Sequence, residues 1–203
     1  MISMFYNIAV IVLKIIFFPL YRIKVSGLEN FGRDDRIIVC ANHKSMLDPI
    51  FLAISLPRIL YFMGKKEIFE VPILKNIARS LGAFPVDRFG RDLKALRHSV
   101  ALINDNKTLG IFPEGTRVKN VNRENVKDGV AFIALKAKAD ILPVEIISSY
   151  KFFRKTEIQI KAKIKVDEFL SMKNKDAMKL MTDEIFGKIY ENHTIVESES
   201  KWK

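Results

Sequence analysis

Asn42-His43-Lys44-Ser45-Met46-Leu47-Asp48 places a histidine and a carboxylate five residues apart, directly after the apolar run Arg36-Ile37-Ile38-Val39-Cys40-Ala41. A β-branched run of that kind reads as a buried strand. The pair therefore lies just past a strand end, where open α/β sheets place their ligands. Histidine changes charge near neutral pH, and a neighbouring carboxylate can fix its tautomer and raise its basicity. Residues on one face of a continuous α-helix are three or four apart, so these two must straddle a turn. Asp48-Pro49 marks one helix start, with Asp as N-cap and Pro as first helical residue. Ser45 permits an earlier start, and the sequence leaves both open. The plain alternative is that His43 caps a loop and Asp48 only caps a helix; this heptapeptide alone does not separate the two readings.

Two more strand ends carry residues suited to an anionic substrate. Gly82-Ala83-Phe84-Pro85-Val86-Asp87-Arg88 reads as a strand ending on Asp-Arg, and Thr108 to Phe112 as a buried strand followed by Pro113-Glu114-Gly115-Thr116-Arg117. A glycine at a strand end lets a substrate approach the backbone, and arginine offers phosphate a planar fork. A His/Asp pair with Arg88 and Arg117 behind it suits a general-base reaction on a phosphorylated substrate, although the pentapeptide alone also fits an ordinary turn. No spacing matches a zinc or EF-hand site, and His98 reads as a surface or boundary residue of a helix. Neither a P-loop nor a dinucleotide fingerprint occurs, and a G-x-S-x-G elbow is absent. Cys40, the single cysteine, lies inside an apolar run and reads as a small buried hydrophobe.

The elements that must hold these groups fit one domain, since 203 residues supply one full α/β core. A net charge of +11 points to an anionic partner: nucleic acid, anionic membrane or phosphorylated substrate. One cysteine rules out an intrachain disulfide framework and fits a reducing compartment. Residues 2 to 20 are the most hydrophobic segment and form a helix roughly 28 Å long, near the thickness of a bilayer core. Ser3, Asn7 and Lys14 fall on one narrow stripe of it, which favours a helix embedded in one leaflet or steeply tilted, with a spanning helix as the close alternative. Tyr21, Arg22 and Lys24 follow as an aromatic and basic collar of the cytoplasmic type. No basic n-region or small-residue cleavage site marks a secretory signal.

Further along, Pro49 to Ser55 reads as a short helix and Ile59 to Met63 as a strand leading into Gly64-Lys65-Lys66-Glu67. Ile68 to Leu81 has helical spacing, and Asp92 to Asn104 is a well-signalled helix. A helix at Val130 to Ala139 precedes a strand at Ile141 to Ile147, where Pro143 suggests an edge or irregular strand. Phe152 to Val166 alternates as hairpin strands would, and Asn174 to Asn192 is amphipathic. The expectation is an α/β fold: a central mixed, largely parallel sheet flanked by helices, preceded by an N-terminal hydrophobic membrane helix. The division is 1–20 membrane helix, 21–192 domain and 193–203 disordered tail.

Taken together, these blocks resemble the membrane-associated 1-acylglycerol-3-phosphate acyltransferases, also called lysophosphatidic acid acyltransferases. The similarity rests on His43-x4-Asp48, on Gly64-Lys65-Lys66-Glu67 with Val86-Asp87-Arg88, on Phe112-Pro113-Glu114-Gly115-Thr116-Arg117, and on Ile141-Leu142-Pro143-Val144. It covers roughly residues 20 to 150. The resemblance implies transfer of a fatty acyl group from a thioester of acyl carrier protein or coenzyme A, with no further cofactor and no metal. It makes His43 the base for the sn-2 hydroxyl of lysophosphatidate and Asp48 its support. Arg88, Arg117 and Lys65 would hold the phosphate, Glu114 would orient an arginine or a substrate hydroxyl, and Gly115 and Thr116 complete the substrate-binding set. The implied partner is a phospholipid surface, with the catalytic domain on the cytoplasmic side of the cell membrane and no nucleic acid. Two rival readings stand beside it: an acyltransferase for glycerol 3-phosphate or another lysophospholipid, and a non-catalytic basic protein that binds membrane or nucleic acid.

Overall fold

Residues 2–32, 36–80, 82–87 and 92–191 are described in the computed structural model of the chain. In chain order the elements are α1 (Ile2–Leu20), β1 (Ile23–Ser26), β2 (Ile37–Ala41), α2 (Asp48–Ser55), β3 (Leu60–Lys65), α3 (Pro72–Ser80) and β4 (Phe84–Val86). There follow α4 (Leu93–Asn104), β5 (Thr108–Ile111), α5 (Gly129–Ala137), β6 (Asp140–Ser148), β7 (Thr156–Ile160) and α6 (Asn174–Ile189). The strands form a seven-stranded sheet in the order β1-β7-β6-β2-β5-β3-β4. β2 pairs in parallel with both β5 and β6, and β3 with both β5 and β4. β7 runs antiparallel to β6, and β1 is parallel to β7. The expected mixed, largely parallel sheet is present. Because β2 to β6 all run one way, their C-terminal ends meet at one edge, where ligands of such sheets bind.

β2 is buried at all five positions, as a strand covered on both faces must be. Its residues alternate between two cores. Ile38 and Cys40 join Leu109, Ile111 and Ile141 beneath α4, α5 and α6. Ile37, Val39 and Ala41 join Leu142, Val144 and Ile146 on the opposite face, covered by α2 and behind it α1.

α1 has two apolar faces. Val10, Leu13, Phe17 and Leu20 pack inward, and Tyr6 is buried with its hydroxyl accepting from Leu60 N–H at 3.2 Å. On the other side Met4, Ile8, Ile11, Val12, Ile15 and Ile16 are exposed. The expectation of a membrane helix needs correcting on the spanning alternative: among the described residues, no helix is long and apolar enough to cross a membrane. One face of α1 is already committed to the core.

Two expectations differ in detail. Pro143 is not on an edge strand, since β6 lies between β2 and β7. Its carbonyl accepts from Lys161 N–H at 2.9 Å, one residue beyond the last β7 pairing, Val144 with Ile160. The N–H that proline lacks would face the same side, toward Lys161, so only one of that pair's two bonds forms and the β6–β7 ladder stops at Val144–Ile160. The 152–166 stretch supplies one strand and a lone bridge from Ile164 to Ile141, because β7 pairs with β6 rather than within its own stretch. Residues 193–203, expected to be frayed, lie outside the described residues.

Gly110 of β5 marks the tightest packing near the functional edge. A Cβ there would stand 2.5 Å from Phe62 Cε1, and the Phe62 ring is itself stacked on Phe112. Gly110→Ala should therefore destabilise the domain by about 1–3 kcal/mol through overpacking. The check is urea unfolding, with a lowered midpoint and unchanged slope expected; an unchanged midpoint would mean that the Phe62 ring can turn aside freely.

Candidate active site

The site begins where β2 ends. Asn42 is fully buried and binds the backbone of Ile146 twice, donating Nδ2–H to its carbonyl at 2.9 Å and accepting its N–H at 2.7 Å. Its amide continues the β2–β6 pairing through a side chain. The next residue, His43, is then held at every polar atom of its backbone. Its N–H donates to Glu114 Oε1 at 3.1 Å, and its carbonyl accepts from Val118 N–H at 2.8 Å. Its ring stacks on Phe112, with centroids 4.1 Å apart.

His43 Nδ1 lies 3.0 Å from Asp48 Oδ2. An ionised carboxylate only accepts, so this contact puts the proton on Nδ1 and leaves Nε2 as the basic nitrogen. Asp48 has no solvent exposure. Its Oδ2 also accepts from Lys44 N–H and Ser45 N–H, both at 2.7 Å, and its Oδ1 accepts from Tyr150 O–H at 2.8 Å. α2 starts at neither position the sequence offers, with neither Asp48 nor Ser45 as its cap. Leu47 occupies the cap position of α2, and Asp48 is the first helical residue with its side chain turned back to the loop. The positive end of the helix dipole adds to what stabilises that charge. The plain reading, in which Asp48 does no more than cap a helix, is thereby excluded.

Glu114 departs from its expected place among the substrate contacts. It is 2 % exposed and lies beneath His43, where Oε1 takes both the His43 N–H and the hydroxyl of Tyr190. Oε2 has no hydrogen-bond partner among the described residues. Burial pushes this carboxyl above the usual carboxylate range, and the hydrogen bonds from Tyr190 and His43 pull it partly back. Burial beside a carboxylate also pushes up both phenols, Tyr150 next to Asp48 and Tyr190 next to Glu114, so both remain donors. Burial raises the Cys40 thiol well above its ordinary value, which removes it as a nucleophile.

A cavity of about 190 Å³ opens beside the dyad, lined by His43, Met63, Val86, Phe112, Gly115 and Lys127. Gly115 has φ +68, and a Cβ there would sit 3.3 Å from Lys127 Nζ, so the glycine leaves room for that ammonium to lie against the backbone. Thr116 and Arg117 are exposed on the same loop, and Lys65 is half exposed at the end of β3, paired with Glu67 at 3.0 Å. Arg88 lies outside the described residues. A larger cavity of about 930 Å³ runs between β4 and α4 past Tyr61, Phe84 and His98, but neither His43 nor Asp48 lines it. The smaller one is the cavity that His43 lines. Among the described residues no group of three or more His, Cys, Asp or Glu side chains could hold a metal ion.

Tyr150, Tyr190 and Lys127 were not singled out by sequence reasoning as site residues. The two tyrosines lie outside every motif block, and no spacing signal could have tied them to acids 102 and 76 residues away.

The comparisons with known proteins bear on the same stretch. A 1-acyl-sn-glycerol-3-phosphate acyltransferase of Bacillus subtilis strain 168 is 28% identical over 177 residues, covering 83% of this chain and 87% of that protein. One from Streptococcus pneumoniae R6 is 35% identical over 115 residues, covering 56% of this chain but 42% of that longer protein. The crystal structure of the 1-acyl-sn-glycerophosphate (LPA) acyltransferase PlsC from Thermotoga maritima superposes with a TM-score of 0.62 at 25% identity, covering 91% of this chain and 76% of that one. Residues 22–147, which include the dyad and the loop that holds it, match the acyltransferase family as a whole, and the chain belongs to that family.

Proposed function

We propose that the protein transfers a fatty acyl group from an acyl thioester to the sn-2 hydroxyl of 1-acylglycerol 3-phosphate, giving phosphatidic acid. The observation that carries this reading is the bond from His43 Nδ1 to the buried Asp48, which leaves Nε2 free to act as a base at the cavity. The names of the relatives supply the acceptor. His43 takes the hydroxyl proton as the oxygen attacks the thioester carbonyl. The tetrahedral intermediate then collapses with cleavage of the C–S bond, and the imidazolium returns its proton to the leaving thiolate. Asp48 stabilises the imidazolium while it exists. No acyl-enzyme is needed, and the buried Cys40 could not form one. A non-catalytic basic protein would have no use for a carboxylate buried against a histidine at considerable desolvation cost.

Arg117, with Lys127 and Lys65, supports binding of the acceptor phosphate, and Arg88 belongs to the same group by sequence. Gly115 lies against Lys127, and Thr116 precedes Arg117 on the same loop. The donor is acyl carrier protein or coenzyme A; both are anionic and suit a chain of net charge +11. The acceptor is a lipid, and α1 offers an exposed apolar face to an interface. At its C-terminal end the loop before β7 exposes Phe152 and Phe153 between Lys151 and Arg154. Phe153 N–H donates to Leu20 O, which holds that loop against the helix. We place α1 in one leaflet on the cytoplasmic side.

His43→Ala should reduce turnover about 10²–10⁴-fold without unfolding the protein, and near-normal turnover by the folded variant would remove the mechanism. Asp48→Asn should lose activity and stability together, because an amide NH₂ cannot accept from donors that now converge on two oxygens.

Arg117→Ala should lower kcat/KM on lysophosphatidate by about ten- to a hundredfold, with Arg117→Lys recovering part. Monoacylglycerol, which lacks the phosphate, should be poor for the parent and unaffected by the change; equal losses on both acceptors would assign Arg117 elsewhere. The same assay with glycerol 3-phosphate tests the rival acceptor.

The double variant Ile11→Glu/Ile15→Glu should fold normally, since both side chains are exposed, yet bind vesicles of anionic phospholipid at least about tenfold more weakly. Equal cosedimentation of parent and variant would mean that α1 stays out of the lipid.

A further inference from the structure

We propose that Tyr150 is a positioning residue of the dyad: its phenol holds Asp48 Oδ1 so that Oδ2 is presented to His43. The inference rests on the reading of His43 as the base and adds a group that lies outside the 22–147 stretch matched to the family.

The two oxygens of Asp48 are unequally provided for. Oδ2 meets His43 Nδ1 and accepts two backbone N–H groups from its own loop. For Oδ1 the hydrogen-bonding partner is Tyr150, from a residue 102 positions later in the chain. A carboxylate turns about its last torsion in a broad well, so local packing does not by itself choose its orientation. A donor placed on Oδ1 does choose it. It also satisfies an oxygen with no access to solvent, which would otherwise seek a different rotation or a proton.

Tyr150 is built to stay where it is. It follows β6 at the same sheet edge as His43, in a left-handed backbone conformation, φ 56. Its N–H donates to Ser148 Oγ at 2.9 Å, and that hydroxyl is bonded to Thr156 Oγ1 across the mouth of the β6–β7 loop. Its ring lies parallel to that of the fully buried Phe51, at 6.2 Å and 4°, and Phe51 stands on α2 three residues after Asp48. The phenol and the carboxylate are thus referred to the same helix. Tyr150 is not among the residues that line the cavity beside His43, and its hydroxyl is bonded to Asp48; it works through Asp48.

The test is a kinetic cycle with Tyr150→Phe and His43→Ala on the full chain, using lysophosphatidate and an acyl thioester. Phenylalanine keeps the ring on Phe51 and removes only the donor. Tyr150→Phe should lower kcat about 10- to 100-fold while KM for both substrates stays within about twofold. In the His43→Ala background the same change should cost less than about twofold, because there is no imidazole left to orient. If Tyr150→Phe is not folded, the cycle is run with Ser148→Ala, which loosens Tyr150 without altering its ring and should give a smaller loss with the same dependence on His43. Full activity of the tyrosine variant, a change in KM in place of kcat, or equal losses in both backgrounds would each overturn the proposal. Failure of the base reading itself shows separately, as undiminished turnover by His43→Ala alone.

Discussion

A carboxylate with no solvent exposure needs the fold to supply donors in place of water, and Asp48 is such a carboxylate. Its donors come from its own loop, from His43 and from Tyr150 beyond β6. Much of the site architecture can be traced to meeting that demand. The loop must fold back so that the Lys44 and Ser45 N–H groups converge, which requires α2 to start at Asp48 itself. β2 must end beside β6, and the Asn42 amide fixes that neighbourhood by binding Ile146 in both directions. His43 is then stationary before any substrate arrives, so little reorganisation is left for the reaction step.

A second buried acid holds the histidine from below. Glu114 carries the His43 N–H and the Tyr190 hydroxyl on one oxygen, and its carboxyl is raised by burial. The motif that supplies it therefore divides by depth. Phe112 and Glu114 build the bed of the histidine, Gly115 leaves space for Lys127, and Thr116 and Arg117 face outward. Adjacent residues of one motif thus have different work, and the fall in burial from Glu114 to Arg117 along the loop decides which does what.

The two faces of the sheet are closed differently, and this matters for a lipid acceptor. α4, α5 and α6 seal one face. The other is covered by α2, with α1 laid over it and an apolar surface still outward. α2 carries Asp48 at its first position, so the helix with the outward apolar face packs directly on the helix that holds the dyad's acid. A phospholipid surface in contact with α1 would lie one helix away from the chemistry.

The sequence by itself determined the local features. Apolar runs and their periods gave the main strands, the helices α1, α4 and α6, and the α/β class, because side-chain period reports which face of an element is buried. The spacing of His43 and Asp48 across a turn brought them within reach of each other without help from distant residues. Tertiary structure decided what lies across that turn. The period of β6 could not say that it runs between β2 and β7, so Pro143 read as an edge signal when it in fact lies inside the sheet, at the point where the β6–β7 ladder stops. Nor could local pattern show that Glu114 reaches beneath a residue 71 positions earlier, or that Tyr150 completes the acid of the dyad from 102 positions away. Those bonds exist because strand order brings separate loops to one sheet edge, and strand order is set by the packing of the whole core, which no short stretch of sequence contains.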